Sequence, residues 1–357
     1  MSSESQPSRT FSFGEMLSRF VPRRGAALGI ALVAAPLLVI LLSLFIGRYP
    51  LSASDVFGTL ASKLGISGLA VSSTQMSVVW DIRLPRAILG ALVGSSLAVS
   101  GASFQGMFRN PLVSSGILGV SSGAGFGASL AIVLFQGQFF YVYLFAFSFA
   151  LLAVFLSYMI GFTYKTTPTI MLVLGGVVVS SIFSSLISLV KYTADPYAQL
   201  PSIVFWLMGS LASARFSEIL ISAIPMTIGI VGLFALRWRL NLLSMGDKEA
   251  QALGINITVT KGLAIFFATI ATAGAVCVSG IIGWVGLVIP HIGRMIVGDD
   301  NVLLIPVSLS IGACFMILVD NLARTLTGSE IPLGIMTSLI GAPFFVYLLK
   351  RTKGRGW

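Results

Sequence analysis

The sequence predicts an all-α integral membrane protein with about ten transmembrane helices per subunit. Two observations carry this prediction: the composition of the chain and the spacing of its apolar runs. Of the 357 residues, 56% are hydrophobic and 10% are charged, whereas soluble domains carry roughly 25% charged residues. Packing in water cannot hide so much apolar surface, so we expect lipid to be the main solvent of the chain.

Ten apolar runs approach or exceed the length of about 20 helical residues that crosses a bilayer. The run that begins at residue 284 is the shortest. The runs lie at residues 25–46, 86–108, 113–135, 139–163, 168–190, 217–236, 259–281, 284–297, 302–325 and 332–349.

The two ends of the chain are polar and basic, and we interpret residues 1–24 and 350–357 as cytoplasmic tails. Between them, residues 25–349 are predicted to form a single transmembrane domain. The first apolar run is too long for the core of a signal peptide, and no small-residue cleavage site stands out. It is therefore predicted to be an uncleaved first helix.

A shorter apolar piece, Tyr197–Leu211, lies between the fifth and sixth runs, directly after Asp195 and Pro196. It is too short to cross a bilayer. We predict a short re-entrant helix here, one that dips into the membrane and returns on the same side.

The orientation follows from the distribution of lysine and arginine, which favour the cytoplasmic side. With both termini inside, 15 of the 22 basic residues are internal and the other seven external. The internal set is Arg9, Arg19, Arg23, Arg24, Arg109, Lys165, Arg237, Arg239, Lys248, Lys261, Arg294, Lys350, Arg351, Lys353 and Arg355. The external set is Arg48, Lys63, Arg83, Arg86, Lys191, Arg215 and Arg324. Nine or eleven crossings would separate the two basic termini.

A faint internal repeat relates residues of about 86–190 to residues of about 259–349. At an offset of 179 residues, Val99-Ser100-Gly101 matches Val278-Ser279-Gly280, Pro111 matches Pro290, and Gly119 matches Gly298. The predicted topology runs the two copies in opposite directions across the membrane. Inverted repeats of this kind are common in transporters, with the transport path near the repeat interface.

Small residues recur at helical spacing in two places: Gly90, Gly94 and Ala98, and again Gly119, Gly123 and Gly127. Such faces let helix backbones approach closely. The simpler interpretation is plain helix packing, and the alternative is a glycine-lined wall of a transport path.

Several function classes are disfavoured by what the sequence contains. The net charge of +10 is spread between apolar runs, which does not suit nucleic-acid binding. Cys277 and Cys314 lie in apolar runs and His291 is the one histidine, so we expect no metal site and read the thiols as packing residues. The chain has no Gly-Lys pair and hence no P-loop. Its few polar residues form no plausible catalytic constellation, so we expect no enzyme activity and no catalytic residue.

Four blocks of sequence closely resemble the permease subunits of the ABC importers that carry iron-siderophore, haem and vitamin B12 chelates. Together they reach from about residue 80 to the C-terminus, in the order that this family shows. The blocks are Arg83-Leu84-Pro85-Arg86; Gly106–Leu112 continuing to Gly119–Ala124; Leu242–Asp247 through Ala252-Leu253-Gly254; and Gly280–His291 continuing to Asp320–Arg324 and Ile331–Gly334.

This resemblance also implies how the chain assembles and with which partner proteins. Members have ten helices per subunit, form homodimers, and work with two ATP-binding subunits and a periplasmic or lipid-anchored substrate-binding protein. The chain itself would bind no cofactor, and ATP would be used by the partner subunits. The expected cargo is a metal chelate. A ferric siderophore is the first choice, and cobalamin and haem are the alternatives. The expected location is the bacterial or archaeal cytoplasmic membrane.

The resemblance also assigns roles on the outer side. Arg83, Arg86 and Arg324 match arginines that meet acidic residues of the binding protein, and a guanidinium fork pairs well with a carboxylate. Two structural alternatives stay open. Arg83 and Arg86 could simply extend from the membrane to its interface. Arg324 could form a structural pair with Asp320 at i, i+4 spacing.

On the inner side, Asn110, Pro111 and Leu112 are predicted to form a tight turn, which as a bare turn needs no function. By the resemblance, Asn110 and Leu112 match residues of the cytoplasmic gate. The polar segment from Ser244 to Ile257 could be a mere connector between helices; by the resemblance, it matches the coupling helix that fits a groove of the ATPase. We expect Ser244 to cap this helix, Gly254 to end it, and Met245 and Leu253 to anchor it. The assigned coupling residues are Ser244, Met245, Gly246, Asp247, Glu249, Ala250, Leu253 and Gly254. Asp195, Phe205 and Trp206 are assigned to the outer part of the path, although Phe205 and Trp206 could equally face lipid.

Two other function classes explain part of the sequence. A secondary transporter explains the helices and the repeat but not the polar coupling segment, and it predicts uptake that collapses with a proton ionophore. An integral-membrane enzyme predicts turnover by the purified chain alone.

Overall fold

The computed structural model describes residues 13–66, 71–162 and 168–351, and these residues are organised as helices joined by short turns. The helices are α1 Phe13–Ser43, α2 Ala53–Lys63, α3 Ser73–Met76, α4 Leu84–Phe108, α5 Val120–Phe135, α6 Phe139–Gly161, α7 Thr169–Thr193, α8 Gln199–Met208, α9 Phe216–Met245, α10 Asp247–Ala252, α11 Ile257–Ser279, α12 Val285–Val297, α13 Asn301–Thr325 and α14 Leu333–Arg351. A π-helical segment, Ser77–Arg83, joins α3 to α4.

Each predicted apolar run coincides with one helix, namely α1, α4, α5, α6, α7, α9, α11, α12, α13 and α14. Three boundaries differ from the prediction. The helix α1 begins at Phe13, ahead of its apolar run; α5 begins only at Val120, after a turn; and α9 continues past its run to Met245. Half of the predicted N-terminal tail (residues 1–12), most of the predicted C-terminal tail (residues 352–357) and Lys165 lie outside the described residues.

Six of the described helical stretches are long and apolar enough to cross a membrane by themselves. They are Ser73–Phe108, Phe139–Gly161, Thr169–Thr193, Phe216–Met245, Ile257–Ser279 and Asn301–Thr325. Shorter apolar helices accompany them, among them α5, α12 and the first part of α14. The predicted all-helical membrane architecture is therefore present. The number of crossings and the sidedness of the termini stay predictions.

The helix α4 is the centre of the fold. In the most apolar 18-residue stretch of Ser73–Phe108, 83% of the residues are buried, against 28% in α6 and in α7. It packs against α13, α9, α11 and α12, and its side chains belong to both large apolar clusters of the structure. The helix α4 therefore contacts most of the bundle.

The predicted small-residue faces are close helix contacts. A Cβ atom added at Gly312 of α13 would lie 2.5 Å from the carbonyl oxygen of Gly94 in α4, and one at Gly94 would overlap the carbonyl of Gly312. In α5, Cβ atoms at Gly123 and Gly127 would overlap backbone carbonyls of α6. Plain helix packing, the simpler interpretation, thus accounts for these glycines.

The predicted re-entrant piece is the ten-residue helix α8. Its C-terminal end lies beside the ends of two other helices. The Ser210 amide donates to the Ser279 carbonyl over 2.8 Å, and the Leu333 amide donates to the Gly209 carbonyl over 2.9 Å. The end of α8 is thereby fixed to the end of α11 and to the start of α14.

The polar contacts separate into two groups that match the predicted sides of the membrane. One group lies at one end of the bundle and contains four arginines that are all predicted to be external. They bind the segments that follow α1 and α13, and they are Arg48, Arg83, Arg86 and Arg324. At the opposite ends of α4, α9 and α11, contacts join segments that are all predicted to be internal.

Candidate functional site

The residues assigned to transport lie in three places: the arginine cluster at the predicted outer end, a cavity beside α8, and the turn and short helix at the predicted inner end.

Arg83 is 2% exposed, and its guanidinium is bound within the chain. Nη1 donates to the carbonyl of Leu44 over 2.7 Å, and Nη2 donates to the carbonyl of Tyr49. The absence of a side chain at Gly47 makes room for this guanidinium. Arg83 therefore holds the segment that follows α1 against the start of α4.

Arg86 is 5% exposed and contacts two carboxylates. Its Nε lies 2.9 Å from both oxygens of Asp320, and its two Nη atoms donate to the two oxygens of Glu330 over 2.8 and 2.9 Å. Asp320 is in α13 and Glu330 is in the loop before α14. The fork-to-fork pair with Glu330 is a strong geometry for a guanidinium, so Arg86 joins three segments.

Arg324 is 7% exposed and lies in the same cluster. Its Nη2 donates to the carbonyl and the hydroxyl of Ser43, each over 3.2 Å, and to the side chain of Asn321. Its Nε lies 3.7 Å from Asp320, so the predicted i, i+4 pair is present. All three predicted docking arginines thus have partners within the chain. Their docking role stays a prediction.

One member of this cluster was missed by the sequence analysis. The side chain of Arg48 is exposed, and it donates to the carbonyls of Arg324, Thr327 and Gly328 over 2.9, 2.8 and 2.7 Å. It holds the loop after α13 in place.

A cavity of about 460 Å³ opens beside α8, between the α5–α6 turn, the start of α9 and the end of α11. Phe205 and Trp206, two of the predicted path residues, line it together with Glu218, several serines and Cys277. Among the described residues that line it, the one charged group is the Glu218 carboxylate, and none is lysine or arginine. The cavity lies within the size range of small-molecule sites.

Asp195, the third predicted path residue, has a different local role. Its Oδ1 accepts hydrogen bonds from the amides of Tyr197 and Ala198 over 3.0 and 2.7 Å, and the Asp195 amide donates to the side chain of Gln199. These contacts satisfy backbone donors at the start of α8. Asp195 is not among the residues that line the cavity.

The predicted gate turn follows α4 directly. Arg109 ends the helix with a left-handed backbone (φ 51°), and the Leu112 amide donates to Oδ1 of Asn110 over 2.9 Å. Asn110 and Leu112 are exposed, whereas Pro111 is half-buried. The turn therefore presents a polar and an apolar side chain at the predicted inner end.

A buried glutamine that the sequence analysis missed fixes this turn. Gln105 is 3% exposed, and its Nε2 donates to the carbonyls of Val113 and Gly286 over 3.0 and 3.2 Å. Its Oε1 accepts a hydrogen bond from Arg294 of α12. A polar residue in an apolar run is the signal that could have identified it, since buried amides must be hydrogen-bonded.

The predicted coupling segment does contain a separate short helix, α10 (Asp247–Ala252), ended by a turn in which Gly254 has φ +83°. Met245 and Leu253 flank it with side chains that are 60% and 57% exposed, while Ala250 is fully buried. Two large apolar side chains exposed at either end of a polar helix suit contact with another protein.

The prediction that Ser244 caps this helix is wrong. Ser244 belongs to the last turn of α9, and its hydroxyl donates to the carbonyl of Asn241 over 2.6 Å. The break falls at Gly246, whose backbone has φ 140°, and no side chain caps α10. Asp247 instead fixes the first turn, because its Oδ2 accepts a 2.7 Å bond from Lys261, which is 1% exposed.

The described residues contain no group of three or more His, Cys, Asp or Glu side chains that could hold a metal ion.

Comparison with known proteins relates this architecture to one family. The sequence profile of the FecCD transport family matches residues 35–351. The chain is 44% identical over 314 residues to the molybdate import system permease protein MolB of Haemophilus influenzae, covering 87% of this chain and 92% of that protein.

It is 42% identical over 283 residues to a protein of Helicobacter pylori named as a probable iron chelatin transport system permease, covering 79% and 85%. It is 41% identical over 280 residues to the cobalamin import system permease protein BtuC of Halobacterium salinarum, covering 78% and 75%. A solved inward-facing structure, described as a transporter of the metal-chelate ABC type, superposes with a TM-score of 0.80 at 40% identity, covering 90% of this chain and 98% of that one.

Proposed function

The chain belongs to the FecCD transport family and is the permease of an ABC importer, and we propose that its cargo is a metal chelate, first a ferric siderophore. The family match across residues 35–351 is the observation that carries the transport function. The choice of cargo rests on the cavity beside α8.

The lining of this cavity favours a chelate over a bare inorganic anion. Phe205, Trp206 and Phe139 offer aromatic faces, and the serines and Gln136 offer hydrogen bonds. A siderophore wraps its iron in an organic shell that can use such contacts without a strong charge. Weak, distributed contacts also suit a path, because tight binding inside it would slow release.

Molybdate is the second candidate, and the similarity to MolB is the observation that favours it. A bare dianion needs basic side chains or clustered N–H donors. The described lining of the cavity has a carboxylate and no basic residue, so we rank molybdate below a chelate. Cobalamin and haem stay alternatives within the chelate class.

We further propose that two copies of this chain enclose the path. Two ATP-binding subunits would contact α10 and its flanking residues Met245 and Leu253, and a substrate-binding protein would dock at the outer end. ATP would bind to the partner subunits only. Import then consists of a population shift between outward-open and inward-open states, in which ATP favours one state.

The gate assignment of Asn110, Pro111 and Leu112 fits this scheme, because the turn ends the most buried helix of the fold. Docking at the outer end is proposed for the surface around the arginine cluster. Direct pairing of Arg83, Arg86 or Arg324 with a binding protein would first require release from Leu44, Glu330 or Ser43.

A competition assay tests the cargo. The chain would be captured gently from its native membrane with its partner subunits and reconstituted into vesicles. ATP-driven uptake of an iron-labelled hydroxamate siderophore would then be measured against excess unlabelled siderophore, cobalamin, haemin or molybdate. We expect competition by siderophores alone. Uptake of labelled molybdate by the same vesicles, with no uptake of the siderophore, would contradict the proposed cargo while leaving the importer intact.

A further inference from the structure

We propose that Arg109 is a positioning residue that links the gate turn to the coupling helix α10 within one subunit. The proposal rests on the proposed function of both segments. In this proposal, the connection between the ATPase contact and the gate lies within a single permease subunit.

The first observation is the direction of the Arg109 side chain. A Cβ atom added at Gly246, the break between α9 and α10, would lie 3.5 Å from Nη1 of Arg109. The guanidinium therefore reaches the point at which α10 begins, although it is 137 residues away in sequence.

The second observation is the carboxylate at the same point. The added Cβ atom at Gly246 would overlap Oε2 of Glu249, a residue of α10. The two opposite charges thus lie near the same backbone position. They are near neighbours without a direct salt bridge in this structure, so their attraction acts across a short gap that a movement of α10 can close or widen.

The third observation is the backbone of Arg109. It holds a left-handed conformation (φ 51°, ψ 40°) that is unfavourable for a residue with a Cβ atom. Gly246 is also in the region that favours glycine (φ 140°). A strained backbone such as that of Arg109 persists where the surrounding contacts require it, and such positions cluster at active sites and switch regions.

The fourth observation is that α10 has a second attachment. The pair of buried Lys261 with half-exposed Asp247 fixes the first turn of α10 to α11 over 2.7 Å. The first turn of α10 therefore faces one basic group from α11 and another from the gate turn. When the ATPase moves α10, the link through Glu249 and Arg109 would carry that displacement to Asn110 and Leu112.

The test measures the number of cargo molecules imported per ATP hydrolysed, with the whole transporter in vesicles. Arg109→Met removes the charge and keeps the length, and it should lower this ratio about fivefold, the effect of one short-range charge pair near a surface. Arg109→Lys should recover at least half of the loss. The matched control is Arg239→Met, because Arg239 is an exposed arginine near the predicted inner end of α9.

A double-mutant cycle separates the link from a purely structural role. Glu249→Gln should lower the ratio by a similar factor, and the Arg109→Met/Glu249→Gln pair should be no worse than either change alone. Should Arg109→Met fail to assemble, Arg109→Lys and Glu249→Gln complete the comparison.

Two outcomes are distinguishable. A wild-type ratio for Arg109→Met, or fully additive losses in the pair, overturns the link. Absence of ATP-driven uptake by the wild-type complex overturns the proposed function instead.

Discussion

The buried arginine cluster gives the sharpest structural prediction. Asp320→Asn removes one negative charge from a cluster in which Arg86 and Arg324 both approach that carboxylate, at 2.9 and 3.7 Å. Glu330 stays as the one carboxylate that contacts Arg86. The variant therefore leaves two buried guanidinium groups with one carboxylate fewer.

The size of the effect follows from burial. The side chains of Arg86 and Asp320 are 6% and 4% exposed, so the loss resembles the breaking of a buried ion pair, about 3–5 kcal/mol. The Glu330 side chain is 33% exposed, so Glu330→Gln should cost only about 1–2 kcal/mol because water screens part of the interaction. At about 2 °C per kcal/mol, Asp320→Asn should lower the melting temperature by roughly 6–10 °C.

Thermal unfolding of the purified chain in one detergent measures both variants. Asp299→Asn is the matched control, because Asp299 is 91% exposed and lies 4.0 Å from Arg294; we expect no measurable shift. A melting temperature for Asp320→Asn within 1 °C of wild type (below about 0.5 kcal/mol) would refute the structural role of the cluster.

Three further predictions concern other parts of the molecule. Gly94→Ala should lower the melting temperature by the equivalent of about 1–3 kcal/mol, because its Cβ atom would overlap the Gly312 carbonyl; Gly29→Ala, with no atom within 4 Å, is the control, and equal melting temperatures would count against the packing. The pKa of Glu330 is held below its usual value, first by the hydrogen bond from Arg86. The ionised Glu330 carboxylate therefore stabilises the fold fully above the unfolded pKa of about 4.3, and this stabilisation is lost as pH falls through the lower folded pKa. The difference in stability between wild type and Glu330→Gln should shrink below about pH 4. A difference that stays constant with pH would contradict this. Met245→Ser with Leu253→Ser should weaken ATPase binding at least tenfold in a pull-down, since both side chains are exposed beside α10; unchanged capture would exclude them as anchors.

The helices were predictable because their signal is local. Apolar composition over about 20 residues decides whether a segment can enter a membrane, and each of the ten runs coincides with a helix. Two helices were missed although their signals were present. Ser52 with Asp55 starts α2, and Ser72 with Gln75 starts α3, each as a reciprocal capping box.

The arginine contacts were less accessible from the sequence. The pairing of Asp320 with Arg324 follows from helical spacing, and the structure confirms it. The pairing of Arg86 with Glu330 joins residues 244 positions apart, and only the packing of α4 against α13 brings them together. The family resemblance implied docking groups, whereas tertiary packing supplies partners within the chain.

At the predicted inner end, local features could again be predicted from the sequence, whereas tertiary contacts could not. Gly254 was correctly predicted to end the short helix, because a left-handed backbone favours glycine. Ser244 was misread as a cap because the apolar run of α9 ends about nine residues before the helix does. The bond between Lys261 and Asp247 depends on how α11 returns beside α10, which no local pattern reports.

ATP-driven uptake by the reconstituted complex tests the central claim most directly. Vesicles would contain this chain and the ATPase captured with it, with the binding protein and iron-labelled siderophore added outside. We predict uptake that requires ATP inside the vesicles, persists with a proton ionophore, and disappears when residues 247–254 are replaced by a glycine and serine linker. Uptake that proceeds without ATP and collapses with the ionophore would contradict the account and favour a secondary transporter.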